Sequence, residues 1–232
     1  MKEILGLTNQ ETLMRARADL RLGVPIVLSG NGISAVVAPI DVLSQARLDQ
    51  LKSIDKKSFT LITARRAQTL NCPVYEESFA RIELGQKPRI SYLKAISDPS
   101  LDLKNPLKGP FSILREEPLK LENEALLLLK SAQLLPAAVI SPVDDGVNFA
   151  ANHKLTYLQT GQLRDLAISS RGIADAITAT VPTSMAENAQ FHIFRPNISG
   201  EEHYVMEIGT IYRDQPTMVR IHSACFHGRC SR

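Results

Sequence analysis

A mixed α/β fold with a short β-rich extension is the class this sequence predicts, on three observations. A capped amphipathic helix opens the chain and leads into two apolar strands. A Leu-, Glu- and Ala-rich helix over 121–134 runs through Pro136 into another buried strand, the helix-to-strand unit of a sheet covered by helices. Beyond about residue 179, helical spacing gives way to short β segments separated by Pro, Gly and Asn. The 232 residues suffice for one sizeable domain and part of a second. With 44% hydrophobic and 22% charged residues the composition is globular, and it excludes collagen-like, coiled-coil and disordered chains.

The elements follow in order. Thr8 and Glu11 have capping-box spacing, Leu13, Ala16 and Leu20 mark one helical face, and Gly23 stops the helix. Val24–Leu28 and Ile33–Ala38 are apolar runs around the turn cluster Ser29-Gly-Asn-Gly32, which predicts a buried hairpin. Ser44–Ile54 has helical spacing, Phe59–Thr63 is β-rich, and Ala64–Leu70 makes two helical turns ended by Asn71. Five prolines between Cys72 and Pro110 leave that stretch irregular, apart from one helix around Arg89–Ile96. After the 121–134 helix come the strand Ala137–Ser141, the turn Asp144-Asp-Gly146 and a helix around Asn152–Gln162. Ala167–Ile168 and Ile173–Ile177 read as a short strand and helix, Thr178–Thr183 as a junction, and Ala179 as the domain boundary. Phe191–Phe194, His203–Ile208 and Met218–His222 are the β segments beyond it.

A net charge of +3 from 27 basic and 24 acidic residues, with no run of five or more like charges, gives nucleic-acid binding no support. Three cysteines are too few for a disulfide framework and point to a reducing compartment. The first twenty residues lack a signal-type apolar core, and Leu134–Ile140 is far shorter than a membrane span, so the expected location is cytoplasmic.

Most polar clusters have an ordinary structural explanation. Ser29–Gly32 could offer backbone N–H groups to a phosphate, but a glycine turn between strands is ordinarily only a turn. Asp144 and Asp145 are neighbours in a turn and point apart. Glu122 and Glu124 complement a helix dipole as well as they would hold a cation, and His153 reads as a surface residue. Arg220-Ile-His-Ser-Ala-Cys225 is different: it gathers a cation, an imidazole, a hydroxyl and a thiol within six residues. Cys225 and Cys230 offer zinc two thiolates, whereas a zinc site takes three or four protein ligands.

That last stretch carries a family resemblance. Val181-Pro-Thr183, Glu202-His203, Gly209 and Val219-Arg-Ile-His-Ser-Ala-Cys225 resemble the opening strands of GTP cyclohydrolase II. The resemblance implies that Arg220, His222 and Ser223 contact GTP and that Cys225 is the first zinc ligand, with Ala224 where the family has glutamate. After Cys225 the family pattern resembles Phe-Thr-Gly-Asp-Val-Leu-Gly-Ser, whereas this chain reads Phe226-His-Gly-Arg-Cys-Ser-Arg232. One base inserted after the Phe226 codon converts the first reading into the second and then a stop. Residues 227–232 are therefore expected to be a frameshift tail, with Cys230 no family zinc ligand.

The earlier segment resembles, more faintly, 3,4-dihydroxy-2-butanone 4-phosphate synthase, which precedes the cyclohydrolase in bifunctional riboflavin-biosynthesis enzymes. Leu22-Gly-Val-Pro-Ile-Val-Leu28 is similar to its opening strand, Glu122-Asn-Glu-Ala125 to its His-Thr-Glu-Ala helix start, and Ala137–Pro142 with Asp144-Asp-Gly146 to its strand and turn. The departures fall on the chemistry. The acidic loop between the first strands is reduced to Ser29–Gly32, the metal-binding histidine is replaced by Glu122, and the glutamate after the Val-Ile strand by Pro142. A magnesium ion wants oxygen ligands, and enolising a sugar phosphate needs a positioned base.

The expected organisation is thus a synthase-like domain over 1–179 that keeps the fold without the activity. A β segment of the cyclohydrolase over 180–226 and the tail over 227–232 follow it. The expected function is that of a riboflavin-biosynthesis protein of the GTP cyclohydrolase II family, whose intact members use zinc to release formate and pyrophosphate from GTP. No cofactor is expected to bind this chain stably, active synthase relatives use magnesium, and a homodimer is expected from the resemblance alone. The alternatives are an active synthase acting on ribulose 5-phosphate and a non-catalytic dimerisation module. A fold shared with carbamoyl-transferring tRNA-modification enzymes is weaker, because no basic stripe supports RNA binding.

Overall fold

The structure is a computed structural model, and it describes residues 6–54, 57–161, 163, 173–183, 186–196, 202–212 and 214–221. The chain forms two compact units, Met1–Ile168 and Ser169–Arg232.

In the first unit, α1 (Asn9–Arg21) starts from the expected capping box. Thr8 Oγ1 accepts from Glu11 N at 3.2 Å, and Glu11 Oε2 accepts from Thr8 N at 2.8 Å. Leu13, Ala16 and Leu20 are buried on its inner face, and Gly23 leaves the helix at φ +71°. The hairpin β1 (Ile26–Gly30) and β2 (Ile33–Pro39) turns at Asn31 and Gly32, with φ of 53° and 79°. Both angles are positive, as a two-residue turn that follows the strand twist requires. Next come α2 (Gln45–Ile54), β3 (Phe59–Thr63), α3 (Ala64–Thr69), β4 (Phe79–Glu83) and α4 (Ile90–Ser97). The unit continues through α5 (Glu122–Ser131), β5 (Ala137–Val143), α6 (Gly146–His153) and β6 (Tyr157–Gln159).

The six strands form one sheet in the order β4-β3-β5-β2-β1-β6. Every neighbouring pair is antiparallel except β1 with β6. Side chains alternate across such a sheet. Val27, Val36, Ala38, Ile62, Ile82 and Val139 belong to a core shared with Leu48 and Leu51 of α2, Leu93 and Ile96 of α4 and Ala150 of α6. Leu28, Val37, Leu61 and Ile140 alternate with them and are also buried, on the face that α1 and α5 cover. A sheet buried on both sides explains why its strands read as continuous apolar runs.

The second unit contains β7 (Ile173–Thr183), β8 (Ala186–Pro196) and β9 (His203–Glu207) as an antiparallel sheet in that order.

The mixed α/β class and the β-rich extension are as expected, while several boundaries move. The units part between Ile168 and Ser169, because Ala179 lies inside β7, opposite Phe191 of β8. Ile173–Ile177 is strand rather than helix, and Thr178–Thr183 continues it. The helix expected around 152–162 lies earlier, at Gly146–His153, where Asp145 Oδ1 caps it by accepting from Asn148 N at 3.0 Å. β4 falls within a stretch expected to be irregular, and Met218–Ile221 has no regular structure. The strand expected at Ala167–Ile168 lies outside the described residues. No described helix is long and apolar enough to cross a membrane.

Candidate functional site

The positions that the synthase resemblance marks for chemistry converge where the β1–β2 hairpin, β5 and the start of α5 meet. Glu122 is the first residue of α5 and is 1% exposed. Its two carboxylate oxygens are both engaged: Oε1 accepts from Leu119 N at 2.9 Å and Oε2 from Leu121 N at 3.1 Å. Arg81 of β4, 5% exposed, places its guanidinium 3.8 Å from Oε1. Arg81 itself donates to Glu116 O and Glu117 O, and its guanidinium lies over the Phe59 ring. Glu122 thus joins the segment before α5 to the far edge of the sheet. Dipole complementation, the expectation from sequence, describes only part of that role.

The surrounding volume is filled. Ala35, Val37, Leu121, Ala125 and Ile140 close over Glu122 and leave no room for a water molecule. At the end of β1, a Cβ on Gly30 would collide with the Thr160 side chain and press on that of Leu121, so these two side chains fill the space beside the turn. Ser29 Oγ accepts from Ser34 Oγ at 3.0 Å and donates to Ile33 O at 3.3 Å, both within the hairpin. On β5, Pro142 stands opposite Ala35, and Ser141 Oγ meets Ser58 Oγ at 2.9 Å in the interior. Asp145 is held below the usual aspartate range by hydrogen bonds it accepts from the Asn148 backbone and side-chain N–H groups, as a helix cap where the sequence suggested only a turn. His153 is exposed and stacks on Phe149, in keeping with a surface role.

In the second unit, Arg220 is exposed on a segment without regular structure, and His222, Ser223 and Cys225 lie outside the described residues. Upstream, Glu202 accepts from Arg195 Nε at 2.6 Å and from Tyr204 Oη at 2.9 Å, so β8 and the residue before β9 are tied together.

Comparison with known proteins places this geometry. Residues 174–230 match the family model of GTP cyclohydrolase II, a span that begins one residue into β7 and includes 227–230. The chain is similar to riboflavin-biosynthesis proteins. It is 27% identical over 221 residues to GTP cyclohydrolase-2 of Azospirillum brasilense, covering 92% of this chain and 57% of that protein. It is 29% identical over 112 residues to the riboflavin biosynthesis protein RibBA of Aquifex aeolicus, covering 44% of this chain and 27% of that protein. The chain therefore spans less than two thirds of either curated relative. Among solved structures it resembles RibBX, a two-domain 3,4-dihydroxy-2-butanone 4-phosphate synthase from A. baumannii, with a TM-score of 0.53 at 15% identity. That match covers 85% of this chain and 70% of the other, and at this identity it speaks for the fold alone.

Sequence reasoning missed two features of the first unit. One is the Arg81–Glu122 pair, which joins residues 41 positions apart that carry no local signal. The other is a clip in which Asp102 accepts from Arg66 Nη1 and Nη2, each at 2.7 Å, and from Lys108 Nζ. An aspartate among prolines suggests a turn, and only the fold brings both cations to it.

Proposed function

We propose that this chain is a riboflavin-biosynthesis protein of the GTP cyclohydrolase II family whose first unit is a scaffold with the fold of a synthase and none of its catalysis. The observation that carries this is the engagement of Glu122: both oxygens are committed to backbone N–H groups and Arg81 stands beside them. A magnesium ion needs carboxylate oxygens free to turn towards it. Glu122 offers none, Asp145 caps α6, and Pro142 and Ser29–Gly32 bring no carboxylate. These residues do not fit magnesium, and no proton-transfer step is assigned to them. An active synthase is the weaker reading for the same reason.

In the second unit the proposed contacts to GTP are Arg220, His222 and Ser223, with Cys225 as a zinc ligand by resemblance. A guanidinium pairs well with a phosphate because its donors match two oxygens at once. Cys225 is the one zinc ligand that the resemblance assigns within these residues, whereas zinc takes three or four protein ligands, so no step is assigned through the metal. The reading is of nucleotide recognition without turnover, in a cytoplasmic homodimer.

Calorimetric titration with GTP, run alongside a formate assay with added Zn²⁺, tests it. The expected result is saturable GTP binding weakened about tenfold or more by Arg220→Ala, the scale of a lost charge-assisted contact, with no formate above the blank. Absence of GTP binding contradicts the family reading, and zinc-dependent formate release contradicts the claim of no turnover. A monomer in sedimentation contradicts the dimer.

A further inference from the structure

A second place in the first unit has the attributes of a binding site and lies apart from the synthase-like positions. It is a half-open cavity of about 510 Å³ between the β3–β4 edge of the sheet, the 84–89 loop, α4 and residues 105–108. Cavities of this size hold small organic ligands. Its inner wall is apolar, formed by Ile82, Leu84, Leu93 and Ile96. Thr60 also lines it, from a strand paired on both sides by β4 and β5. Thr60 is 0% exposed, and its Oγ1 is buried without a hydrogen-bond partner. Valine would occupy the same volume without that cost.

The walls are pinned in place before any ligand arrives. Gln45 of α2 donates from Nε2 to Pro88 O at 3.0 Å and accepts at Oε1 from Ile90 N at 2.8 Å, fixing the end of the loop. Lys52 Nζ donates to Leu84 O at 3.0 Å and fixes its start. On the opposite side Tyr92 Oη donates to Lys108 O at 2.7 Å, and Lys108 Nζ pairs with Asp102. Such fixing removes much of the ordering cost of binding.

The charge at the mouth is mainly positive. Lys87 and Arg89 are exposed and line the cavity, Lys108 is matched by Asp102, and Glu83 is the one carboxylate among the lining residues. We propose that this cavity binds an amphipathic organic anion, its apolar body against Leu84, Leu93 and Ile96 and its anionic group between Lys87 and Arg89. A phosphate monoester and a carboxylate share this chemistry.

The test is calorimetric titration of the 232-residue chain with 1-naphthyl phosphate, 1-naphthoate and neutral 1-naphthol, with amide NMR shifts locating the contact. The expected result is saturable one-to-one binding of at least one anion, tenfold or more tighter than the neutral compound, with shifts centred on 82–96 and 105–108. The double variant Lys87→Glu, Arg89→Glu weakens that binding at least tenfold. The single variant Arg89→Glu weakens it several-fold. Preference for the phosphate or for the carboxylate identifies the anion class, and either supports the proposal. No saturable binding of either anion, shifts elsewhere, or binding that both variants leave unchanged overturns it.

Discussion

Glu122 is an acid at a helix start whose meaning changes once its neighbours are known. Buried beside Arg81 and bonded to Leu119 N and Leu121 N, it holds together the approach to α5 and the β4 edge. Removing one partner of a buried pair leaves the other charge uncompensated, which costs about 3–5 kcal/mol. Glu122→Ala is therefore expected to lose that much stability in urea unfolding, and a loss under about 1 kcal/mol, the size of a surface pair, would show that the pair is not structural. Asp102 acts in the same way through the clip. Its hydrogen bonds from Arg66 and then Lys108 hold its carboxyl well below the usual carboxylate range. A carboxylate with a depressed folded value contributes stability above its unfolded value, about 3.9, and loses that contribution as the pH falls towards the folded value. Asp102→Asn should accordingly be less stable than the parent at neutral pH, and the gap should narrow on acidification from pH 5 to pH 2. A gap independent of pH would contradict the assignment.

Among the elements, the β1–β2 hairpin is where sequence and structure agree most closely. Asn31-Gly32 lies between apolar runs, and both residues adopt the positive φ that such a turn demands. A side chain forced into that region costs about 1–2 kcal/mol, so Gly32→Val should lose about that much stability in urea unfolding, and an unchanged stability would contradict the turn geometry. The capping box of α1 was legible for a similar reason, since its signal is confined to Thr8 and Glu11. β4 was not legible: Phe79–Glu83 carries Arg81 in mid-strand, and a buried arginine breaks the apolar run that marks an interior strand. The shift of α6 has a local cause as well. Asp145 reads equally well as a turn residue or a cap, and only the structure shows it accepting from Asn148 N. For β7, the runs of Ala, Ile and Thr over 173–180 fit helix or strand, and pairing with β8 decides between them. At the synthase-like positions the sequence could not show that Arg81 stands beside Glu122, that apolar side chains close over it, or that a Cβ on Gly30 would meet Thr160.

The whole molecule divides into two compact units. The first has the six-stranded sheet and two-sided helical cover of the synthase-like fold, while the second contains the stretch that matches GTP cyclohydrolase II. The proposed scaffold role of the first unit is compatible with its core, because burial of the sheet depends on apolar alternation and not on metal-binding carboxylates. The central claim is that this unit is a scaffold. Its most direct test is to incubate the purified 232-residue chain with ribulose 5-phosphate and Mg²⁺ and follow the products by NMR, with an active synthase as control. The account predicts no 3,4-dihydroxy-2-butanone 4-phosphate and no formate above the enzyme-free rate, whereas magnesium-dependent appearance of both would contradict it.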